Sequence, residues 1–339
     1  MLRRFVTFLL LLAIAAALFV AAFPQVVGLQ QHYYIAQLVS FRGALVVVAV
    51  VAAIVLLLLG LAIRPVRGFL GGFAVLLLVF AVVSAGVIVE RGTGSTSFDA
   101  KVSGDITVLA WNTRGSATGA DAIAKLALAE HANIVSLPET QRKSADEVAA
   151  IMKKSGVTMS VLTLAYDQKD ATRSTSLLIS SNLGAYETSA DKTTTDVLPS
   201  VVARPKDGTG PVIVAAHPVA PVKAHMAAWR HDLDYLADLC SGESMIMAGD
   251  FNSTLDHQSG LGATPSSTLG KCRDAAKATG NAGVGTWPTN VPELLGTPID
   301  HVMTTSDYKV TGFTVVSTED HAGSDHRPVV AQLTPRDDQ

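Results

Sequence analysis

The chain has 339 residues, 49% of them apolar and 16% charged, with a formal net charge of −3. Six of the 26 Lys plus Arg residues and one of the 29 Asp plus Glu residues precede residue 98, so the remainder carries about −8. That balance argues against a domain that grips a nucleic-acid backbone over a broad surface, and two cysteines are too few to build a metal site.

Three uncharged apolar runs come first, at residues 5–22, 43–63 and 68–89. Each is close to the roughly 20 residues that a helix needs to cross the hydrocarbon core, so residues 1–91 read as a membrane anchor. Arg3 and Arg4 precede the first run, and Arg64 and Arg67 fill the turn between the second and third. Both basic patches belong on the cytoplasmic side of the cytoplasmic membrane, which puts everything after Val89 outside. The first run also has the form of a signal peptide with small residues at Ala21 and Ala22; cleavage there would leave two spans and the same exterior domain. Residues 24–42 read as a connecting loop, or as an amphipathic segment on the outer membrane surface.

Residues 92–97, Gly-Thr-Gly-Ser-Thr-Ser, form a short flexible linker that keeps the next domain, residues 98–335, close to the membrane. In that domain strands and helices alternate. Ile106 to Ala110 reads as a strand, residues 119–131 as a helix, Ile134 to Leu137 as a strand and 144–155 as a helix. Strand-like segments follow near 158–165, 175–180, 197–203 and 211–216. Residues 224–240 form an amphipathic helix with Met226, Trp229, Leu233, Leu236 and Cys240 on one face. An apolar strand at 245–248 comes next, then a Gly, Ser and Thr-rich stretch, then strands near 299–304, 308–316 and 328–333. No solenoid repeat or low-complexity tail is present. Cys240 and Cys272 either form a disulfide, which an oxidising exterior permits, or remain two buried thiols.

Polar residues collect where these strands end. Asn112 follows the first strand, Glu139 the second, His217 the strand at 211–216, and Asp250 and Asn252 the strand at 245–248; Asp300 follows Ile299, and Asp325 and His326 precede the last strand. Residues two apart on an extended segment point the same way, so Asp250 and Asn252 enter one pocket, a carboxylate to orient or deprotonate water and an amide to reach a phosphoryl oxygen. Singly, each residue has a structural explanation as a turn or solvated loop residue. Together they supply what metal-assisted phosphoester hydrolysis requires: oxygen ligands for a hard cation, a carboxylate for water, imidazoles and amides.

The set Trp111-Asn112, Leu137-Pro138-Glu139, His217, Gly249-Asp250-Phe251-Asn252, Thr286-Trp287-Pro288, Ile299-Asp300-His301-Val302 and Ser324-Asp325-His326-Arg327-Pro328 resembles the endonuclease/exonuclease/phosphatase superfamily, in that family's order over residues 105–333. The resemblance implies an α+β fold, a four-layer α/β/β/α sandwich of two mixed sheets flanked by helices, here preceded by transmembrane helices. It also implies Mg²⁺, with Mn²⁺ as the alternative: Glu139 the principal ligand, Asn112 and Asp325 near the metal. Asp250 would activate water, Asn252 and His217 would contact the scissile phosphate, and Asp300 would hold His326. Pro138 departs from the glutamine usual before the glutamate. His301 should face away from the pocket as a structural residue, Asp320 and His321 form a solvated loop or flank the pocket mouth, and Trp287 packs beside the site.

The sequence therefore points to a membrane-anchored phosphodiesterase or phosphomonoesterase acting on a lipid-linked or envelope phosphoester. An extracellular nuclease is the alternative, disfavoured by the acidic domain. A non-catalytic phosphoester-binding module is a second alternative, disfavoured because no reactive position is missing.

Overall fold

Residues 1–94, 97–189 and 194–336 are described by the computed structural model. Four helices come first: α1 (Leu2–Ala22), the short α2 (Tyr33–Ser40), α3 (Arg42–Ala62) and α4 (Arg67–Arg91). The three long ones are long and apolar enough to cross a membrane. Their packing inverts that of a water-soluble bundle: Ala49, Ala53, Ala74 and Ala81 are buried, whereas Val48, Val51, Ile54, Leu58 and Val82 face outward. Small residues at the contacts let the backbones approach closely, as expected where the surrounding solvent is lipid.

Strands and helices then follow as β1 (Ile106–Ala110), α5 (Ala120–Ala129), β2 (Ile134–Pro138), α6 (Arg142–Lys154), β3 (Met159–Ala165), β4 (Ser174–Ser180), β5 (Tyr186–Thr188), β6 (Val201–Pro205) and β7 (Val212–Ala216). The chain continues through α7 (Met226–Leu239), β8 (Met245–Asp250), β9 (Arg273–Asp274), α8 (Ala275–Ala278), β10 (Asp300–Thr304), β11 (Tyr308–Val315) and β12 (Val329–Pro335). They make two mixed six-stranded sheets, ordered β11-β12-β1-β2-β4-β3 and β5-β6-β7-β8-β10-β9. The α+β sandwich implied by the motifs is the fold observed.

Alternation along the strands explains the layers. Val108, Ala110, Ile134, Ile213, Ala215, Ile246, Ala248 and Val329 pack in the buried cluster between the sheets. Their neighbours Leu109, Val135, Leu137 and Val330 face the other way, against Ile123 and Ala127 of α5 and Val148 and Met152 of α6. On the second sheet Val212, Val214, Met245 and Met247 pack with Leu236 of α7 and with Cys240. Cys240 and Cys272 form a disulfide with Cα atoms 5.9 Å apart, which ties the end of α7 to the segment before β9. Closing a loop of that length is worth roughly 3 to 4 kcal/mol in chain-entropy terms.

Topology decides where the strand ends go. The central pair of each sheet is parallel, β1 with β2 and β7 with β8, so residues following them leave at one edge. β12 runs antiparallel to β1 with Val329 opposite Ala110, and β10 antiparallel to β8 with Asp300 opposite Asp250. Residues that precede β12 and begin β10 therefore reach the same edge as residues that follow β1, β2, β7 and β8.

The N-terminal part is docked on this sandwich. Residues 24–42 are neither a loose loop nor a free surface helix, because α2 packs on the domain: Ala36 is buried with Val219, Met226, Trp229 and Leu233. The segment after α4 is also held, since Gly283 N donates to Gly92 O (3.0 Å) and Gly94 N to Gly280 O (3.3 Å). Of the expected flexible linker, residues 95 and 96 lie outside the described residues.

Candidate active site

β8 ends in Asp250, which is buried and receives Asn252 N (2.8 Å) on one oxygen and Asn112 Nδ2 (3.0 Å) on the other. Burial pushes its pKa up to about 7; the nearby His326 opposes that shift and Asp300 reinforces it. A carboxylate poised there suits a general base at neutral pH. His326 stands opposite, its Nε2 3.8 Å from Asp250 Oδ2 and its Nδ1 2.9 Å from Asp300 Oδ2. Burial works against the imidazolium, yet Asp300 and Asp250 together hold its pKa up to about 10. The ring is thus a cation clamped between two carboxylates. Thr286 Oγ1 supports Asp300 through its backbone N–H (3.1 Å), and Trp111 Nε1 donates to His326 O (2.9 Å).

Glu139 and Asn252 have left-handed backbones, φ 57° and 44°, which non-glycine residues seldom adopt. The surroundings impose them. Thr113 N donates to Pro138 O (3.1 Å), and Ser116 N (2.9 Å) and Thr113 Oγ1 (3.0 Å) both donate to Glu139 O. Asn252 is fixed by Asp250, by its own Nδ2 on Pro218 O (2.9 Å) and by Trp229 Nε1 on its carbonyl (3.0 Å). Backbone strain of this kind clusters at functional sites.

Glu139, Asp250, Asn252, Asp325 and His326 line one open cavity of about 430 Å³. A larger cavity of about 550 Å³ lies against residues 255–268 and holds none of them, so size alone does not mark the site. Burial raises the Glu139 pKa; Asn112 Nδ2, 3.2 Å from Oε1, lowers it, and Asp325 adds to the rise. Glu139 and Asp325, two carboxylates lining one cavity open to water, could hold a hard divalent cation. Asn112 enters differently from an oxygen ligand: its amide nitrogen faces Glu139 and Asp250, while its Oδ1 accepts from Arg114 N (2.9 Å). Ligating atoms of Asp250, Asp300 and His326 lie within 4.8 Å of one another, as do those of Asp196, His231 and Asp232 away from the cavity, but His326 already bonds Asp300. The buried trio of Asp250, Asp300 and His326 is a hydrogen-bonded acid-base cluster, and Glu139 and Asp325 are further carboxylates on the cavity wall that could hold a cation.

His217 is brought near but not onto the cavity wall. It is fully buried, with Nδ1 3.1 Å from Thr175 Oγ1 and Nε2 without a protein partner among the described residues. Burial, with the His326 charge nearby, pushes its pKa down to about 3, so it is a neutral imidazole. His301 lies on the other face of β10, between Asp274 (2.7 Å) and Ser253 O (2.9 Å). Asp320 neither floats in solvent nor flanks the mouth: it pairs with the buried Arg327 (2.7 Å), whose guanidinium also holds the carbonyls of Gly285, Thr289 and Val291. Arg327 thereby fixes the loop that presents Trp287, whose Nε1 donates to Asp325 Oδ2 (3.0 Å).

The endonuclease/exonuclease/phosphatase family model matches residues 109–326, nearly two thirds of the chain. The chain belongs to this family. It is accordingly a metal-dependent phosphoester hydrolase. A search of curated proteins gave no match. Among solved structures it is similar to a humanized D. rerio TDP2, with 15% identity, TM-score 0.53, and coverage of 68% of this chain and 100% of that one. D. rerio TDP2 complexed with a single-strand DNA product gives 15%, 0.52, 68% and 99%, and TDP2 from C. elegans gives 16%, 0.51, 68% and 75%. At these identities the likeness is one of fold. The 68% of this family member that is covered leaves room for the N-terminal helices, which also supply three cavity residues not singled out from the sequence: Gln37, Ser40 and Phe41.

Proposed function

We propose that this family member is a Mg²⁺-dependent phosphoesterase held in the cytoplasmic membrane by three spans, with its site on the extracytoplasmic side, and that it hydrolyses a lipid-linked phosphoester. The observation that carries this reading is the composition of one cavity, in which Asp250, His326 and Glu139 share walls with residues 37–41 between the first two apolar helices. Chemistry and membrane region meet in a single pocket.

The roles follow from the geometry. Glu139 and Asp325 would hold the cation, and Asn112 orients Glu139 and Asp250 through its amide. The chemistry a divalent cation would supply there is neutralisation of charge on a phosphoryl oxygen. Asp250 accepts a proton from water as the water oxygen bonds to phosphorus and the ester P–O bond breaks. His326, kept protonated by Asp300, stabilises the charge that builds up on the phosphoryl group. Asn252, on the cavity wall, offers a further contact to a phosphate oxygen, while His217 lies buried behind that wall. Topology is supported by the arginines: Arg3, Arg4, Arg64 and Arg67 stay at one end of the helices, while Arg42 and Arg91 at the other end share Asp256, at 2.8 Å each, so that cluster keeps a single net positive charge. Positive charge is therefore concentrated on the side that favours the cytoplasm.

A nuclease is the second reading, favoured by the aromatic pair Phe41 and Trp287, with ring centroids 5.9 Å apart, on which a base could stack. The net charge of about −8 after residue 97 weighs against it. The deciding experiment is a substrate screen of the purified full chain with and without Mg²⁺, spanning oligonucleotides, phospholipids, polyprenyl phosphates and sugar phosphates. Metal-dependent turnover confined to oligonucleotides would reject the lipid reading, and tight binding with no turnover of any class would favour a binding module.

A further inference from the structure

Phe41 lies more than 200 residues before Asp250 in sequence, yet both line the same cavity. Its ring stacks obliquely on Trp287, centroids 5.9 Å apart, and Trp287 in turn bonds Asp325. Three neighbouring residues lock it there. Gln37 Nε2 donates to Pro221 O (2.7 Å), Thr297 Oγ1 donates to Ser40 O, and Arg42 bonds Asp256 in a buried cluster completed by Arg91. Gly43 is equally constrained, since a Cβ there would lie 1.8 Å from Leu294 O. Phe41 is thus as firmly built into the site as any strand-end residue, although it comes from the junction of α2 and α3.

The wall around it has one character. Leu198, Pro221, Val222 and Ile299 continue the apolar surface from Phe41, and Arg114 is the only Lys or Arg lining the cavity among the described residues. Val222 is 48% exposed, so the apolar surface reaches the rim. The rim adjoins the start of α3, where a bilayer begins if the long helices span one. A phosphate seated at Asp250 and His326 would direct one esterified group along this wall, where a polyanionic strand would meet no lysine and no arginine but Arg114 among the described residues. The wall suits hydrocarbon.

We propose that Phe41 is a specificity-determining residue of this site: with the apolar wall beside it, it binds the hydrocarbon of a phosphoester's alcohol that enters the cavity from the bilayer. The proposal deepens the reading of the site as a lipid-linked phosphoesterase and rests on it. Asp256 is then a positioning residue, acting on Phe41 through Arg42.

The test uses the full chain in phosphatidylcholine nanodiscs and two probes, dodecyl phosphate and methyl phosphate, each followed by binding and by turnover. Binding is read from tryptophan fluorescence, because Trp287 adjoins Phe41, and does not depend on catalysis. The parent should prefer the dodecyl probe, and Phe41→Ala should cut the dodecyl-to-methyl ratio by roughly tenfold or more, mainly in KM and in binding, as expected for loss of a large apolar contact. Phe41→Leu should recover most of the preference, and it carries the measurement if the alanine variant does not fold. A ratio unchanged in a folded Phe41→Ala variant overturns the proposal, as would a parent without chain preference; if Phe41→Ala does not fold, a Phe41→Leu ratio no lower than the parent's overturns it instead. A parent that binds with the expected preference but never hydrolyses either probe defeats the phosphoesterase reading while leaving Phe41 as the selector.

Discussion

Asp250→Asn is the most informative perturbation of the reaction. The substitution keeps volume, and the side chain still has one oxygen to receive Asn252 N and one position facing Asn112 Nδ2, His326 Nε2 and Asn252 Nδ2. That second position becomes an NH₂ group facing donors, so Asn112 or its neighbours must reorient, a local cost that the fold can bear. What cannot be recovered is the proton acceptor. Loss of a positioned general base slows the chemical step by roughly 10² to 10⁴, equivalent to about 3 to 5 kcal/mol of barrier. The pH profile adds a second signature. Burial raises the Asp250 pKa to about 7, and only the ionised form can accept a proton, so parent turnover should fall as pH drops through that region or below it where a bound cation favours the carboxylate. Asp250→Asn should lose that acidic limb as well as the rate. The assay is single-turnover hydrolysis across pH on whichever probe the substrate screen identifies, with binding measured in parallel. A variant that turns over at the parental rate, or is slow but keeps the same acidic limb, would refute the assignment of Asp250 as the base.

Three further outcomes follow. Glu139→Gln should raise the Mg²⁺ concentration needed for half-maximal activity by at least about tenfold, because an amide oxygen is a poorer donor to a hard cation than a carboxylate; metal titration with unchanged demand would remove Glu139 from the cation site. Burial opposes the charge on Asp256, but Arg91 and Arg42 hold its pKa down to about 2, so its ionisation contributes about 2 kcal/mol of stability above an unfolded pKa near 4. That stability should fade as pH falls from about 4 to about 2, and Asp256→Asn, which strands two buried arginines, should cost about 3 to 5 kcal/mol at neutral pH; chemical denaturation in detergent at several pH values measures both, and a variant as stable as the parent would contradict the buried cluster. Fusions placed after residue 94 should be active with an extracytoplasmic phosphatase reporter and inactive with a cytoplasmic fluorescent one, and the opposite pattern would overturn the orientation.

The site residues were legible because chemistry and topology coincide at strand ends. Asn112, Glu139, His217 and Asp250 each follow an apolar strand, and a sandwich with parallel central pairs sends all four to one edge. Asp300 and His326 reach the same edge only because β10 and β12 are antiparallel to their neighbours, which no local pattern encodes. The left-handed backbones of Glu139 and Asn252 were hidden for a related reason, being imposed by hydrogen bonds from Thr113, Ser116 and Trp229 across long stretches of chain. The three-residue β5 carries too little periodicity to stand out. Residues 24–42 misled most: a polar-aromatic stretch between apolar runs has the composition of an interfacial loop, and nothing within it shows that Ala36 fits against Trp229 or that His257 Nε2 lies 3.0 Å from Ala36 O. Cys240 and Cys272 were an open pair because separation in sequence says nothing of the 5.9 Å between their Cα atoms.

The Arg42–Asp256–Arg91 cluster links the two halves of the molecule in a way that a tether would not require. An exposed ion pair is worth little, and a flexible linker would have sufficed to keep a domain near a membrane. Here one carboxylate, 1% exposed, binds the first residue of α3 and the last residue of α4, so these adjoining ends of two apolar helices are fixed to each other and to the loop after Asn252. Asp256 lies four residues beyond Asn252, and Arg42 is the residue after Phe41. Movement of α3 relative to α4 would therefore act on both sides of the cavity at once, on Phe41 directly and on the Asp250 to Asn252 turn through residues 253–256. Desolvating three charges is hard to justify by stability alone, since apolar residues of similar size often do as well in such positions. Its evident return is register: the helices carry part of the cavity wall, and the cluster sets that wall against the catalytic edge of the sandwich.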